Sequence, residues 1–174
     1  MITYFDTSVL VAYYTVEDRS EEANSIVAAA ELPVISDLGI AELNITIARK
    51  QREGYLTAAA ASAVYALFDQ HLRDVFVRVA IDGKHAEATR GLPDRLGVPL
   101  RTLDALHLVI TLDVEGALAT FDERLRQAAS ASGLNVLPSP SRRRVTQPAQ
   151  PEAPARSPLP PFDNGGTEGG FPDG

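Results

Sequence analysis

The chain has 174 residues, enough for one domain with a hydrophobic core and too few for two ordinary domains. It contains no cysteine, which excludes disulfide frameworks and thiolate zinc sites, and no apolar run of membrane-spanning length, so we expect a cytoplasmic protein without a membrane segment. The net charge of −7 and the pI of about 4.9 argue against a protein that holds nucleic acid by a general basic surface.

Short β-prone segments alternate with helical patterns along residues 1–137. The predicted strands, in chain order, are 2–5, 34–36, 75–80, 117–121 and 135–137. The predicted helices are 20–31, 38–53, 57–74, 85–96, 103–113 and 123–132, and one more helix starts directly after the first strand. This alternation requires crossover connections between parallel strands. The sequence therefore predicts an α/β protein, a three-layer α/β/α sandwich with a mostly parallel central sheet.

The composition changes sharply at Pro138. Nine of the twelve prolines and five of the twelve glycines follow residue 137, and the apolar residues there are sparse and unpatterned. We therefore predict one folded domain over residues 1–137 and a disordered, Pro/Gly-rich tail over residues 138–174.

Two of the predicted strands lead directly into an aspartate. Asp6 follows the first strand and Asp122 follows the fourth, each before a helix start. Ligands of parallel sheets bind beyond the carboxyl ends of the strands, so both aspartates belong to the functional edge. The alternative is that each aspartate is the N-cap of the following helix, although Thr7 or Ser8 could cap the first helix without Asp6.

Two further acids lie among apolar residues. Glu42 is flanked on its helix face by Leu38 and Ile45, and Asp104 opens a helix that is apolar nearly all round. The alternatives are a rim residue for Glu42 and, for Asp104, a first-turn acid favoured by the helix dipole.

Together, these four carboxylates indicate a metal site. Acids gathered in a partly dry cleft repel one another unless a cation compensates them. Mg²⁺, or Mn²⁺ in its place, prefers oxygen ligands and commonly supports phosphodiester cleavage by an activated water. We predict Asp6 and Asp104 as direct ligands, with Asp122 at a second metal position or bound through water. Glu42 would orient or deprotonate the attacking water.

His107 follows Asp104 by one helical turn and is a candidate metal ligand or general acid. A buried histidine that serves the core is the commoner role for a residue in such a position.

At these residues the sequence resembles the PIN-domain family, and within it the VapC-type toxins of bacterial toxin–antitoxin pairs. The resemblance is carried, in order, by residues 4–8 (YFDTS), 41–43 (AEL), 100–107 (LRTLDALH) and 119–125 (ATFDERL). It covers the whole predicted domain. The four predicted carboxylates fall on the acidic positions of the family.

The resemblance implies an endoribonuclease toxin that cleaves RNA with Mg²⁺, a cognate antitoxin that blocks the acidic pocket, and a homodimer. Basic residues near the predicted site would then contact the RNA backbone, although each is more often an ordinary solvated charge; they are Arg49, Lys50, Arg52, Arg124 and Arg126. The alternative is a catalytically silent PIN-like module that binds a partner protein. The RNA target stays open at this point.

Overall fold

A parallel sheet of five strands forms the centre of the fold. The computed structural model describes residues 1–139. The strands lie in the order β3-β2-β1-β4-β5 and every neighbouring pair is parallel. Their bounds are β1 Ile2–Phe5, β2 Leu32–Ser36, β3 Val77–Val79, β4 Ala117–Ala119 and β5 Val136–Leu137.

Helices connect successive strands, as parallel pairing requires. In chain order they are α1 Thr7–Tyr14, α2 Ser20–Ala29, α3 Asp37–Arg52, α4 Ala58–Asp74, α5 Gly83–Ala88, α6 Leu92–Leu96, α7 Thr102–Asp113 and α8 Glu123–Ala131. No helix within residues 1–139 is long and apolar enough to cross a lipid bilayer.

The sheet carries a separate hydrophobic core on each face. Successive side chains of a strand point to opposite faces. Phe5 and Ala119 accordingly pack with apolar residues of α1 to α4, whereas Tyr4 and Leu118 pack with those of α6, α7 and α8. Each core separates the sheet from a layer of helices, so the fold has three layers. The predicted α/β/α sandwich with a parallel sheet is therefore confirmed.

Two predicted elements differ clearly from the structure, and a third lies largely outside the described residues. The predicted helix 85–96 is two short helices, α5 and α6, because Gly91 between them adopts a left-handed backbone with φ of 66°. The predicted strand 75–80 shortens to β3, which lies at the edge of the sheet and has a partner on one side. The predicted tail, 138–174, lies outside the described residues from residue 140 onward, so the domain boundary stays a prediction.

The order of the strands brings three chain segments to one edge of the sheet. β1 lies between β2 and β4, and the carboxyl ends of all three strands meet there because the strands are parallel. Asp6 follows β1, and its backbone N–H donates to the carbonyl of Ala119 at the end of β4 (3.0 Å). Ser36 ends β2 and caps α3, the helix that carries Glu42.

The packing of α7 gives a test of this arrangement. Leu108 is fully buried in the core, whereas Leu112, on the same helix, is 40% exposed. We expect Leu108→Ala to lower the free energy of unfolding by about 2–5 kcal/mol, because it leaves a cavity. Leu112→Ala should cost roughly 1 kcal/mol or less. Urea unfolding of both variants measures the difference. An equal loss of unfolding free energy in the two variants would contradict the burial of one face of α7.

Candidate active site

The four predicted carboxylates line one cleft at the carboxyl edge of the sheet. Its volume is about 790 Å³, and α1, α3, α7 and the start of α8 form its walls. Asp6 is buried, Glu42 and Asp104 are half-buried, and Asp122 is exposed. The structure therefore brings together all four residues, which are up to 116 positions apart in the chain.

Asp6 is held by hydrogen bonds to one of its two carboxylate oxygens. Its Oδ2 accepts from the Ser8 backbone N–H (3.4 Å), from the Ser8 hydroxyl and from the Thr120 hydroxyl (2.8 Å). Asp6 is also the N-cap of α1, a role that the sequence left open to Thr7 and Ser8. The other oxygen, Oδ1, lies 3.5 Å from the His107 Nε2. The fold thus fixes the side chain through Oδ2 and leaves Oδ1 for the cleft.

Glu42 and His107 form a hydrogen-bonded pair inside the cleft. The His107 Nε2 donates to the Glu42 Oε2 (2.7 Å), since a carboxylate only accepts. The Thr7 hydroxyl donates to the same oxygen (2.6 Å). His107 is therefore both a buried, satisfied histidine and a member of the site, so the two alternatives drawn from the sequence are compatible.

A buried chain of polar groups supports the other side of the His107 ring. The Tyr4 hydroxyl lies 2.7 Å from the His107 Nδ1 and 2.7 Å from the Ser36 hydroxyl. Burial raises the pKa of Tyr4 well above its ordinary value, so the phenol keeps its proton. This chain fixes the orientation of the imidazole, and with it the direction of the bond from His107 to Glu42.

The pair also changes the ionisation of both partners. Burial raises the pKa of Glu42, but hydrogen bonds from His107 and Thr7 outweigh it and hold the pKa below the ordinary value. Burial lowers the pKa of His107, but the bond to Glu42 and the charges of nearby carboxylates raise it above the ordinary value. The carboxylate and the imidazole thus stabilise each other's charged forms.

Asp104 and Asp122 are held less tightly than Asp6. An oxygen of Asp104 accepts from the Arg101 backbone N–H (3.3 Å) in the first turn of α7. One oxygen of Asp122, Oδ1, accepts from the backbone N–H groups of Arg124 (2.8 Å) and Leu125 (3.0 Å), so Asp122 is the N-cap of α8. The capping alternative is confirmed for Asp122, while its other oxygen takes no part in the cap.

The tightest group of potential ligands differs from the predicted set. Among the described residues, ligand atoms of Asp6, Glu42 and His107 lie within 4.8 Å of one another. The predicted metal ligands are Asp6, Asp104 and Asp122, and the latter two line the same cleft outside this group. Asp6 is common to both sets. The assignment of Asp104 and Asp122 as metal ligands therefore stays a prediction.

The basic residues near the cleft have different surroundings. The Arg126 guanidinium donates to the backbone carbonyls of Thr120 (2.7 Å), Leu137 and Pro138, so it ties α8 to the end of the sheet. Lys50 forms an ion pair with Glu17 (2.6 Å). Arg126 is therefore a structural residue rather than a free positive contact.

Several polar residues of the site were not assigned roles there from the sequence. Tyr4, Thr7 and Ser36 orient Glu42 and His107, yet each bond joins residues at least 32 positions apart. One local signal was present, because Tyr4 precedes Asp6 by two residues and lies on the same strand side. The hydroxyls of Ser8 and Thr120 lie at the edge of the site, and both donate to Asp6.

Comparison with known proteins identifies related folds. The protein-family model described as PIN domain matches residues 3–131. Among solved structures, VapC20 of Mycobacterium tuberculosis, described as a toxin that cleaves the sarcin-ricin loop, has 18% sequence identity and a TM-score of 0.57, over 76% of this chain and 95% of that chain. FitAcB of Neisseria gonorrhoeae has 17% identity and a TM-score of 0.61, over 78% and 96%.

A third solved structure is similar to the same extent. VapBC2 of Rickettsia felis, bound to a DNA fragment from its promoter, has 15% identity and a TM-score of 0.57, over 78% of this chain and 97% of that chain. No curated protein sequence matches the chain. At these identities the structural likeness shows the fold.

The two roles of Asp122 can be separated by substitution. We expect Asp122→Ala to lower the free energy of unfolding by about 0.5–2 kcal/mol, because two N–H groups of α8 lose their acceptor. Asp122→Asn should keep most of the stability, since asparagine caps helices about as well as aspartate. Urea unfolding in the absence of divalent cations tests this, and equal stability of the two variants would contradict the capping geometry.

Proposed function

The chain belongs to the PIN domain family, and we propose that it is a Mg²⁺-dependent endoribonuclease that acts as the toxin of a toxin–antitoxin pair. The observation that carries the proposal is the convergence of Asp6, Glu42, Asp104 and Asp122 on one cleft. The solved structure of VapC20, a toxin that cleaves the sarcin-ricin loop, supports the choice of RNA as substrate.

The cleft has the donor chemistry that a hard divalent cation requires. Glu42 and His107 already compensate each other through their hydrogen bond, so the negative charge that needs a cation is that of Asp6, Asp104 and Asp122. We propose that these three residues hold Mg²⁺, which Mn²⁺ can replace. When bound, the ion supplies an activated water and stabilises charge on the attacked phosphate.

Glu42 is the proposed acceptor for the proton of the attacking water. Its Oε2 is occupied by Thr7 and His107, whereas Oε1 has no hydrogen-bond partner among residues 1–139. The bond from His107 fixes the carboxylate so that Oε1 keeps one orientation. Glu42 is thus a catalytic residue in this proposal, and His107 is a positioning residue that acts through it.

The proposed biological setting follows from the same likeness. Solved structures with this fold include VapBC and FitAB assemblies, which supports a cognate antitoxin as the partner of this chain. We propose that the antitoxin covers the carboxylate cleft, that the toxin forms a homodimer and that it acts in the cytoplasm on RNA.

Cleavage of RNA by the purified chain tests the proposal. Total cellular RNA is incubated with Mg²⁺ or Mn²⁺, and in parallel with excess chelator. We expect discrete products that require the metal and disappear in Asp6→Asn and Asp104→Asn, because each substitution removes a negative oxygen from the cleft. The matched control is Asp69→Asn, the same chemical change at an exposed position of α4, which should cleave like the wild type.

Two other outcomes would contradict the proposal. Cleavage that is equal in the wild type and both cleft variants would come from a contaminating nuclease. Absence of cleavage, together with capture of a partner protein that needs no intact carboxylates, would support the catalytically silent binding module.

Metal binding gives a second prediction, with a readout independent of cleavage. We expect Mn²⁺ to raise the unfolding temperature of the wild type, since a ligand that binds the folded state stabilises it by about 2.7 kcal/mol at a hundredfold excess over its Kd. This increase should be lost in Asp6→Asn and strongly reduced in Asp104→Asn. It should persist in His107→Gln.

Each variant is compared with its own metal-free sample, so a loss of stability caused by the substitution itself does not enter the result. If His107→Gln lost the Mn²⁺ effect and Asp104→Asn retained it, the metal ligands would instead be Asp6, Glu42 and His107.

A further inference from the structure

A second cavity adjoins the carboxylate cleft and has no role in the proposed reaction. Its volume is about 690 Å³, and it shares three lining residues with the cleft, namely Thr7, Ser8 and Thr46. A strand of RNA whose scissile phosphate lies at the carboxylates must continue beyond the cleft. This adjoining cavity is therefore a candidate path for the neighbouring nucleotide.

One face of α3 runs from the cleft into the second cavity. Glu42 lines the cleft, Thr46 lines both, and Arg49 lines the cavity, at the spacing that places residues on one side of a helix. Arg49 lies seven positions after Glu42, which corresponds to about 10 Å along the helix axis. This length suits contacts to the same strand a short distance from the reacting phosphate.

The charge of the second cavity is opposite to that of the cleft. Three basic and two acidic residues line the cavity, whereas four acidic residues and one arginine line the cleft. Lys50 is neutralised by Glu17. Arg49 is exposed and makes no ion pair within residues 1–139, so its guanidinium is available to a phosphate.

A flat cationic surface forms another wall of the cavity. The Arg19 guanidinium carbon lies 3.6 Å from the centroid of the Phe121 ring, and Glu22 accepts from the Arg19 Nε (2.8 Å) and Nη2 (2.7 Å). Phe121 is itself fixed, because it packs against the core beneath α1 to α4. One face of the guanidinium is thus supported by the ring. The Arg19 side chain is 44% exposed and lines the cavity, where a planar group can stack on it.

Ser8 couples this wall to the carboxylates. Its hydroxyl donates to the Asp6 Oδ2 and accepts from the Phe121 backbone N–H (2.8 Å). The position of the stacking surface is therefore tied to the position of the proposed metal ligand.

We propose that the second cavity is a nucleotide subsite for single-stranded RNA. It takes the nucleotide that adjoins the scissile phosphate, with its base stacked on Arg19 and its phosphate bound by Arg49. Any base can stack on a planar cation. The subsite therefore contributes affinity and fixes the position of the RNA strand, but it does not select a particular base. A base held in this way must be unpaired, which makes the preferred substrate a loop or a single strand. This inference rests on the proposed ribonuclease function.

Binding of a fluorescein-labelled, short single-stranded RNA of mixed sequence tests the subsite. Fluorescence anisotropy is measured in EDTA, so that no metal-dependent cleavage occurs, over a series of salt concentrations. We expect Arg49→Ala to weaken binding and to reduce the slope of log K against log salt by about 0.7, the value for one lost phosphate contact. Arg19→Lys keeps the charge but removes the planar surface, and should weaken binding about tenfold with the slope unchanged.

Two controls separate the subsite from general charge. Arg73→Ala removes one positive charge from an exposed position of α4 that lines neither cavity, and should bind like the wild type. Asp18→Asn removes an acid from the wall of the second cavity and should strengthen binding. Unchanged binding in both Arg49→Ala and Arg19→Lys, or an equal loss in Arg73→Ala, would overturn the subsite, as would absence of binding by the wild type.

Together with the cleavage assay, this binding experiment keeps the two proposals distinct. A wild-type chain that cleaves RNA with Mg²⁺ but binds it independently of Arg19 and Arg49 would retain the ribonuclease and lose the subsite. A chain that cleaves no RNA, yet binds it through these two residues, would lose the ribonuclease and retain the subsite.

Discussion

The parallel pairing of β1 with both β2 and β4 determines where the polar groups at the strand ends lie. Because the three strands run in one direction, their carboxyl ends place Asp6, Ser36 and Thr120 at one edge of the sheet. The alternation of side chains along β1 then sends Tyr4 to the core beneath α7, where it meets His107. The cleft is therefore a property of the sheet, and α3 and α7 add to it the residues that the strand ends cannot supply.

Charge in this cleft is compensated unevenly. Glu42 accepts from the side chains of His107 and Thr7, and Asp6 accepts from the hydroxyls of Ser8 and Thr120, so the side-chain donors are concentrated on these two carboxylates. Buried charges without enough partners destabilise a fold. Within residues 1–139, Asp104 and Asp122 accept from backbone N–H groups alone, and both lie closer to solvent than Asp6. The arrangement keeps the acids together without a cation and leaves oxygens to which a cation can bind.

The sequence predicted the layers of the fold because alternating strand and helix patterns depend on local residues. It did not define α1, since six of its eight residues are buried and no amphipathic pattern marks its length. The acids were found because they follow strand ends or interrupt apolar runs. The contact of Thr7 with Glu42 was not found, because it joins residues 35 positions apart and depends on how two helices pack.

The use of Asp6 and Asp122 as helix caps affects how related sequences can be read. A chain of this fold that no longer cleaved RNA would still need a capping side chain at both positions, so aspartate there would persist for structural reasons. Asparagine would satisfy the helix while giving up the charge. In a relative, asparagine at these two positions therefore indicates loss of nuclease activity more clearly than a substitution elsewhere on the rim of the cleft. Aspartate at these positions does not by itself demonstrate activity.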